Sequence, residues 1–207
     1  TEPAKKLLSV INAITDFKTI PFECDESLIK EIDCTDVFVD AVLTQSRYKD
    51  EKAKKELCVV YTPLHGTGRV PVLEALEKDG FTNVLTVDEQ CAEDGNFPTV
   101  ISPNPEDRRA LTLGISLAGK TGADIVMGTD PDCDRVGIAV KSGEGYELLT
   151  GNQVGALLVD FVLANTDLKN IKNGAVIKTV VTSELGAEIA KSYGAHIFTT
   201  LTGFKFI

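Results

Sequence analysis

The sequence predicts a layered α/β fold: an α/β/α domain with a mixed sheet, followed by a truncated second α/β domain of similar type. Three observations predict it. Short apolar runs alternate with longer amphipathic ones. Two apolar runs, 136–140 and 146–149, meet across the turn SGEG and read as a hairpin, which makes the sheet mixed. The alternation restarts near residue 150, after TGNQ.

Element by element, residues 2–17 read as a helix, with Thr1 as cap, Pro3 in the first turn, and Leu7, Leu8, Ile11 and Ile14 on one stripe. FKTIPFECDESL reads as loop. Thr35 opens a second helix with Phe38, Val42 and Leu43 facing inward, and the charge run RYKDEKAKKE reads as a solvated face. Residues 57–62 form a buried strand, Val70 to Asp79 a helix stopped by Gly80, and 84–88 a second strand. Asn104 caps a helix with Pro105 in its first position and Asp107 three residues beyond the cap, running to about Leu117. Residues 123–128 are a strand that leads to the hairpin. Residues 153–165 and Ser183 to Tyr193 are helices, and AVIKTV and HIFTT are strands.

Composition bounds the function. The chain has 207 residues with 21 Lys+Arg against 31 Asp+Glu, a net charge of −10, which argues against a nucleic-acid partner. No apolar run approaches the roughly 18 residues of a membrane span, so no membrane partner is expected. The five cysteines, 24, 34, 58, 91 and 133, show no C-x-x-C pair and have only His65 and His196 beside them. They read as free thiols in a reducing, cytoplasmic setting rather than a zinc site.

GTDPDCDR, residues 128–135, carries the chemistry. If the segment is extended, Asp130, Asp132 and Asp134 point the same way. Converging carboxylates repel unless a cation neutralises them, and an all-oxygen donor set favours Mg²⁺ or Ca²⁺. The competing reading is an acidic turn whose aspartates cap backbone amides. An EF-hand fails, because the positions for its Gly and Glu hold Arg135 and Lys141. The fork of Arg135 suits a phosphate, so the cluster reads as a Mg²⁺ site handling a phosphoryl group. An ion pair with Asp134 or a neighbour is the alternative for Arg135.

Three further motifs are weaker. GISLAGKT, 114–121, matches the P-loop pattern, but a helix precedes it and a strand follows, the wrong order for phosphate binding. TPLHGTGR, 62–69, lies between strand and helix, so Gly66 and Gly68 either admit an anion or form a tight turn with a core-facing His65. Thr202 and Gly203 follow the last strand and could meet phosphate or sugar hydroxyls, and Lys178 is either a substrate cation or a surface lysine.

TPLHGTG, DGNFPTVISPNPE, GTDPDCDRVGIAV and TGFKFI occur in this order. Together they resemble the α-D-phosphohexomutase superfamily, specifically phosphoglucomutase/phosphomannomutase-type enzymes, over residues 55–207. The resemblance implies residues 1–34 as the tail of a preceding domain, 35–148 as the metal-binding second domain, and 149–207 as part of the third. It implies a Mg²⁺-dependent interconversion of hexose 1-phosphate and hexose 6-phosphate through a phosphoserine and a bisphosphorylated sugar intermediate. Asp130, Asp132 and Asp134 would bind the metal; Arg135, Lys178, Thr202 and Gly203 would bind the substrate. No serine here stands in the family's T-A-S-H-N-P-like context, and its G-E-E-S-G-like sugar loop and fourth-domain phosphate loop are absent. The chain is therefore expected to be a piece of a longer protein, inactive alone and dependent on the parent's other domains. Two alternatives stand beside this reading: an aspartyl-nucleophile phosphatase of the haloacid dehalogenase type, with Asp130 as nucleophile, and a non-catalytic metal-binding module.

Overall fold

The computed structural model describes residues 2–207 apart from Phe22 and Cys24. The expected cap Thr1 and the thiol of Cys24 lie outside the described residues. The chain forms two compact units, Thr1–Cys34 and Thr35–Ile207.

In the first unit, α1 (Glu2–Ala13) is shorter than predicted. Asp16 accepts a hydrogen bond from the Lys18 N–H and starts a separate 3₁₀ turn, Phe17–Thr19. A capping aspartate thus competes with helix continuation. A second such turn, Glu26–Leu28, is capped by Asp25. The predicted stripe is present, but Leu7, Leu8 and Ile11 are exposed.

The second unit begins with α2 (Thr35–Leu43), whose buried residue is Val39. Phe38 and Val42, expected to face inward, are exposed. The charge run is not wholly solvated. Asp50 caps α3 (Glu51–Glu56), and Lys54 is buried, with ion pairs to Glu51 at 3.3 Å and Asp79 at 3.2 Å. A buried ammonium is retained only with such partners.

Next come β1 (Val59–Thr62), α4 (Arg69–Lys78), β2 (Val84–Thr86), α5 (Thr112–Thr121), β3 (Ile125–Thr129), β4 (Val136–Ser142) and β5 (Gly145–Leu149). The sheet order is β2-β1-β3-β4-β5. β1 runs parallel to β2 and β3, and the β3-β4 and β4-β5 pairs are antiparallel. This is the predicted mixed sheet within α/β/α layers. Its core is Val60, Val87, Ala118, Ala123, Val126, Ala139 and Tyr146. Since β1 connects outward to β2 and the chain then crosses back to β3, the strand order reverses between β1 and β3. Ligands of open α/β sheets sit beyond the carboxyl ends of strands at such a reversal.

The helix expected from Asn104 starts later. Asn104 caps only a turn, accepting the Glu106 N–H at 3.1 Å, and α5 begins at Thr112. The P-loop look-alike falls inside α5, so its amides are spent within the helix. The helix ends at Gly122, whose φ of 76° is the left-handed stop; Gly114 and Gly119 are interior.

The remaining elements are α6 (Gly151–Ala164), α7 (Leu168–Lys172), β6 (Ala175–Thr179), α8 (Leu185–Ser192) and β7 (His196–Thr200). Thr150 and Gln153 close α6 with a capping box. The short α7 was not anticipated. β6 and β7 form a parallel two-stranded sheet, and Leu163, Ile171, Ala190 and Ala195 make a second, smaller core.

Candidate functional site

Asp130 follows β3 directly, and Arg135 directly precedes β4. Thr129 pairs with Val136 across the antiparallel ladder, so residues 130–135 are a hairpin loop and not the extended segment expected. The loop turns on Cys133, with φ 59° and its N–H on the Asp130 carbonyl at 3.0 Å. The carboxylates nonetheless converge. One oxygen from each of Asp130, Asp132 and Asp134 lies within 4.8 Å of the others. The turn, rather than strand alternation, brings them together.

Asp130 is fully buried while Asp132 and Asp134 are exposed. Asp130 accepts the Arg135 backbone N–H at 2.9 Å and the Arg135 Nε at 2.7 Å. Burial by itself raises the Asp130 carboxyl. The Arg135 hydrogen bonds and charge outweigh it, and Asp130 is held below the ordinary carboxylate range. Asp134 moves the other way, raised first by the charge of Asp132 and then by desolvation and Asp130. Such mutual repulsion is what a hard divalent cation relieves. Three oxygen donors converging on one point fit Mg²⁺ or Ca²⁺ by donor type.

A cavity of about 370 Å³ opens at the cluster, lined by Asp130, Asp132, Arg135 and the 102–104 segment. Ser102, Pro103 and Asn104 were not expected at the site from sequence, where Asn104 was read only as a helix cap. The cross-strand pair Gly128 and Gly137 brings them there. A methyl group on Gly137 would collide with the Pro105 backbone, and one on Gly128 with Leu111. Two bare positions side by side seat Pro105 on the sheet, and the residues before it border the aspartate loop. Adjacent glycines on predicted paired strands were the available signal.

The TPLHGTG turn meets the aspartate loop from β1. A methyl group on Gly66 would overlap the Pro131 backbone, and one on Gly68 would crowd Cys133, Thr129 and Tyr61. Both glycines are explained by loop-on-loop packing. His65 is buried, with Nδ1 on the Ala92 carbonyl at 3.0 Å and Nε2 on Thr99 Oγ1 at 2.9 Å. Cys34, Cys58, Cys91 and Cys133 are free thiols.

Lys178, Thr202 and Gly203 lie away from this cavity. Lys178 is buried near the carboxyl end of β6, its Nζ 2.7 Å from Glu184 and 3.1 Å from the Thr182 carbonyl. It borders a separate cavity of about 230 Å³ between α6, β6 and α8. Thr202 and Gly203 are exposed just beyond β7, at the same end of the small sheet.

Residues 36–143 match the family described as phosphoglucomutase/phosphomannomutase, alpha/beta/alpha domain II, and residues 150–207 match its domain III. Phosphoglucomutases of Staphylococcus aureus strains N315 and Mu50 are each 41% identical over 155 residues, covering 74% of this chain and 28% of the relative. The chain thus spans under a third of the length of these curated relatives. The fold also matches the crystal structure of a phosphoglucomutase/phosphomannomutase family protein from Burkholderia thailandensis. There the TM-score is 0.67 at 19% identity, covering 86% of this chain and 35% of that one. Both segments of the second unit thus match consecutive domains of one family, and the chain belongs to the phosphoglucomutase/phosphomannomutase family.

Proposed function

We propose that this chain is the metal-binding portion, with part of the sugar-phosphate-binding portion, of a phosphosugar mutase that interconverts hexose 1-phosphate and hexose 6-phosphate. The single observation that carries this reading is the convergence of Asp130, Asp132 and Asp134 at the sheet's reversal point, in a chain of this family. Asp130, Asp132 and Asp134 would hold Mg²⁺. When bound, such an ion draws negative charge from a phosphoryl group in transfer. Arg135, half exposed beside the same cavity, would bind a phosphate of the substrate or of a sugar bisphosphate intermediate. Lys178, Thr202 and Gly203, at the carboxyl ends of β6 and β7, would meet the sugar phosphate. Residues 35–148 and 149–207 would serve as two successive domains, with 1–34 leading in from another. The phosphoserine would come from elsewhere in the parent protein, and the chain alone would not turn over substrate. The free thiols suit a cytoplasmic location.

The nucleophile reading of Asp130 finds less support, because the carboxylate is buried and both its oxygens accept from Arg135. The test is titration of the chain with Mn²⁺ or Mg²⁺. Binding is expected to be weak without the phosphoserine oxygen, and Asp132→Ala is expected to abolish it. Unchanged affinity in that variant would refute the site.

A further inference from the structure

The aspartate loop is gripped from outside. Thr67 donates its backbone N–H at 2.9 Å and its hydroxyl at 3.1 Å to the same acceptor, the Pro131 carbonyl. Pro131 separates Asp130 from Asp132, so that carbonyl sets the peptide plane between two candidate ligands. Gly66 and Gly68, on either side of Thr67, close against Pro131 and Cys133.

The gripping turn is itself braced by a polar chain with one consistent direction, built on the buried Thr62, His65 and Gln90 and closed through Thr99 at the surface. The Ala92 carbonyl can only accept, so His65 Nδ1 carries the proton and donates to it. His65 Nε2 then accepts from the Thr99 hydroxyl at 2.9 Å. Thr99 Oγ1 accepts from Gln90 Nε2 at 3.0 Å, and Gln90 Oε1 accepts from the Thr62 hydroxyl at 2.7 Å. Thr62 Oγ1 accepts the Leu64 N–H at 3.1 Å, which ties the chain back to the turn. Gln90 is fully buried, and Leu64 and His65 hold positive φ values of 48° and 62°. A backbone this constrained keeps its shape because the surroundings over-determine it.

We propose that Thr67, backed by the Thr62–Gln90–Thr99–His65 chain, is a positioning residue that keeps the aspartate loop rigid and so favours Mg²⁺ over Ca²⁺. The proposal rests on reading that loop as a divalent-cation site. Mg²⁺ demands near-ideal octahedral geometry at roughly 2.0–2.1 Å, whereas Ca²⁺ accepts looser shells at roughly 2.3–2.6 Å. A braced loop serves the smaller ion, and loosening it harms that ion first.

The experiment is Mn²⁺ binding to the chain followed by electron paramagnetic resonance, with displacement by Mg²⁺ and separately by Ca²⁺. Thr67→Val is expected to weaken Mg²⁺ about tenfold, the lower end of what outer ligand partners contribute. Ca²⁺ should weaken less than about twofold, and Thr67→Ser should restore the wild-type ratio. Equal factors for the two ions, or no change in either, would overturn the proposal. If Thr67→Val does not fold by circular dichroism, Thr99→Val carries the same test without touching the loop contact. Asp132→Asn is the control for the underlying reading. If it binds Mn²⁺ like wild type, the cation site itself is wrong and the proposal falls with it; if only the ion ratio stays fixed, the site stands and the positioning role fails.

Discussion

Asp130 and Arg135 close the aspartate loop on itself: the arginine's backbone N–H and its Nε donate to the two oxygens of one buried carboxylate, at 2.9 and 2.7 Å. The same residues join the last position of the hairpin loop to its first. Arg135 therefore serves as an internal counter-charge for the cluster, with Asp134 a further 3.7 Å contact.

Arg135→Met should leave a buried carboxylate short of its donor. The expected cost is about 1–3 kcal/mol, the range for an orphaned buried acceptor, moderated because the guanidinium is half exposed. With the Arg135 charge gone from beside the cluster, Mg²⁺ should bind this variant more tightly and so raise its melting temperature more than that of wild type. Calorimetry with and without millimolar Mg²⁺ tests this. An equal rise in both proteins would show that Arg135 does not compensate the cluster's charge.

Gly66→Ala should be far more damaging than its chemistry suggests. The added methyl overlaps Pro131 backbone, which cannot rotate away as a flexible side chain would. Overpacking of this kind costs about 1–3 kcal/mol, and the loop shift should also weaken Mn²⁺ binding. Gly95→Ala, with open space around it, is the matched control and should change neither. Urea denaturation and Mn²⁺ titration of the pair read both effects.

Tyr61 links the floor of the site to alkaline stability. Its hydroxyl meets Thr129 Oγ1 at 2.9 Å inside the core, and burial pushes its titration up to about 12 despite that hydrogen bond. The ordinary tyrosine value is about 10. The native state therefore holds this proton more tightly than the unfolded chain. The resulting stability is full below about pH 10 and is lost as pH rises toward about 12. Tyr61→Phe should cost about 1–2 kcal/mol near neutrality by leaving Thr129 without its partner. It should also decline less steeply than wild type above pH 10. Parallel urea midpoints from pH 8 to 11.5 would contradict this account.

Lys178→Met separates a substrate role from a structural one. In a full-length parent with the proposed mutase activity, loss of a charge-assisted contact to phosphate should raise KM for the hexose phosphate about tenfold or more, with a smaller effect on kcat. If Lys178 acts only through Glu184 and the Thr182 carbonyl, the melting temperature will fall and KM will not move.

The patterned elements were legible because each rests on local chemistry. The apolar run at β1, the αL stop at Gly80, the SGEG hairpin and the alternation after Thr150 all appear as read. Boundaries failed where a side chain competed with the helix, as at Asp16 and Asn104. The solvated-face reading of residues 47–56 failed at Lys54 because its partner Asp79 lies at the end of a different helix. Convergence of the three aspartates was expected correctly for a reason that does not hold, since the loop is turned and not extended.

By itself, the order of residues determined the strands and helices, the acidic hexapeptide at a strand's end and the family resemblance, all of which depend on neighbours along the chain. Only the tertiary structure decided that Arg135 folds back onto Asp130, that Gly128 and Gly137 admit Pro105, and that Thr67 and His65 brace the loop from the turn after β1. Apart from Arg135 on Asp130, which closes a single loop, those contacts join segments distant in sequence. Their partners are chosen by sheet order and register, which no local pattern encodes.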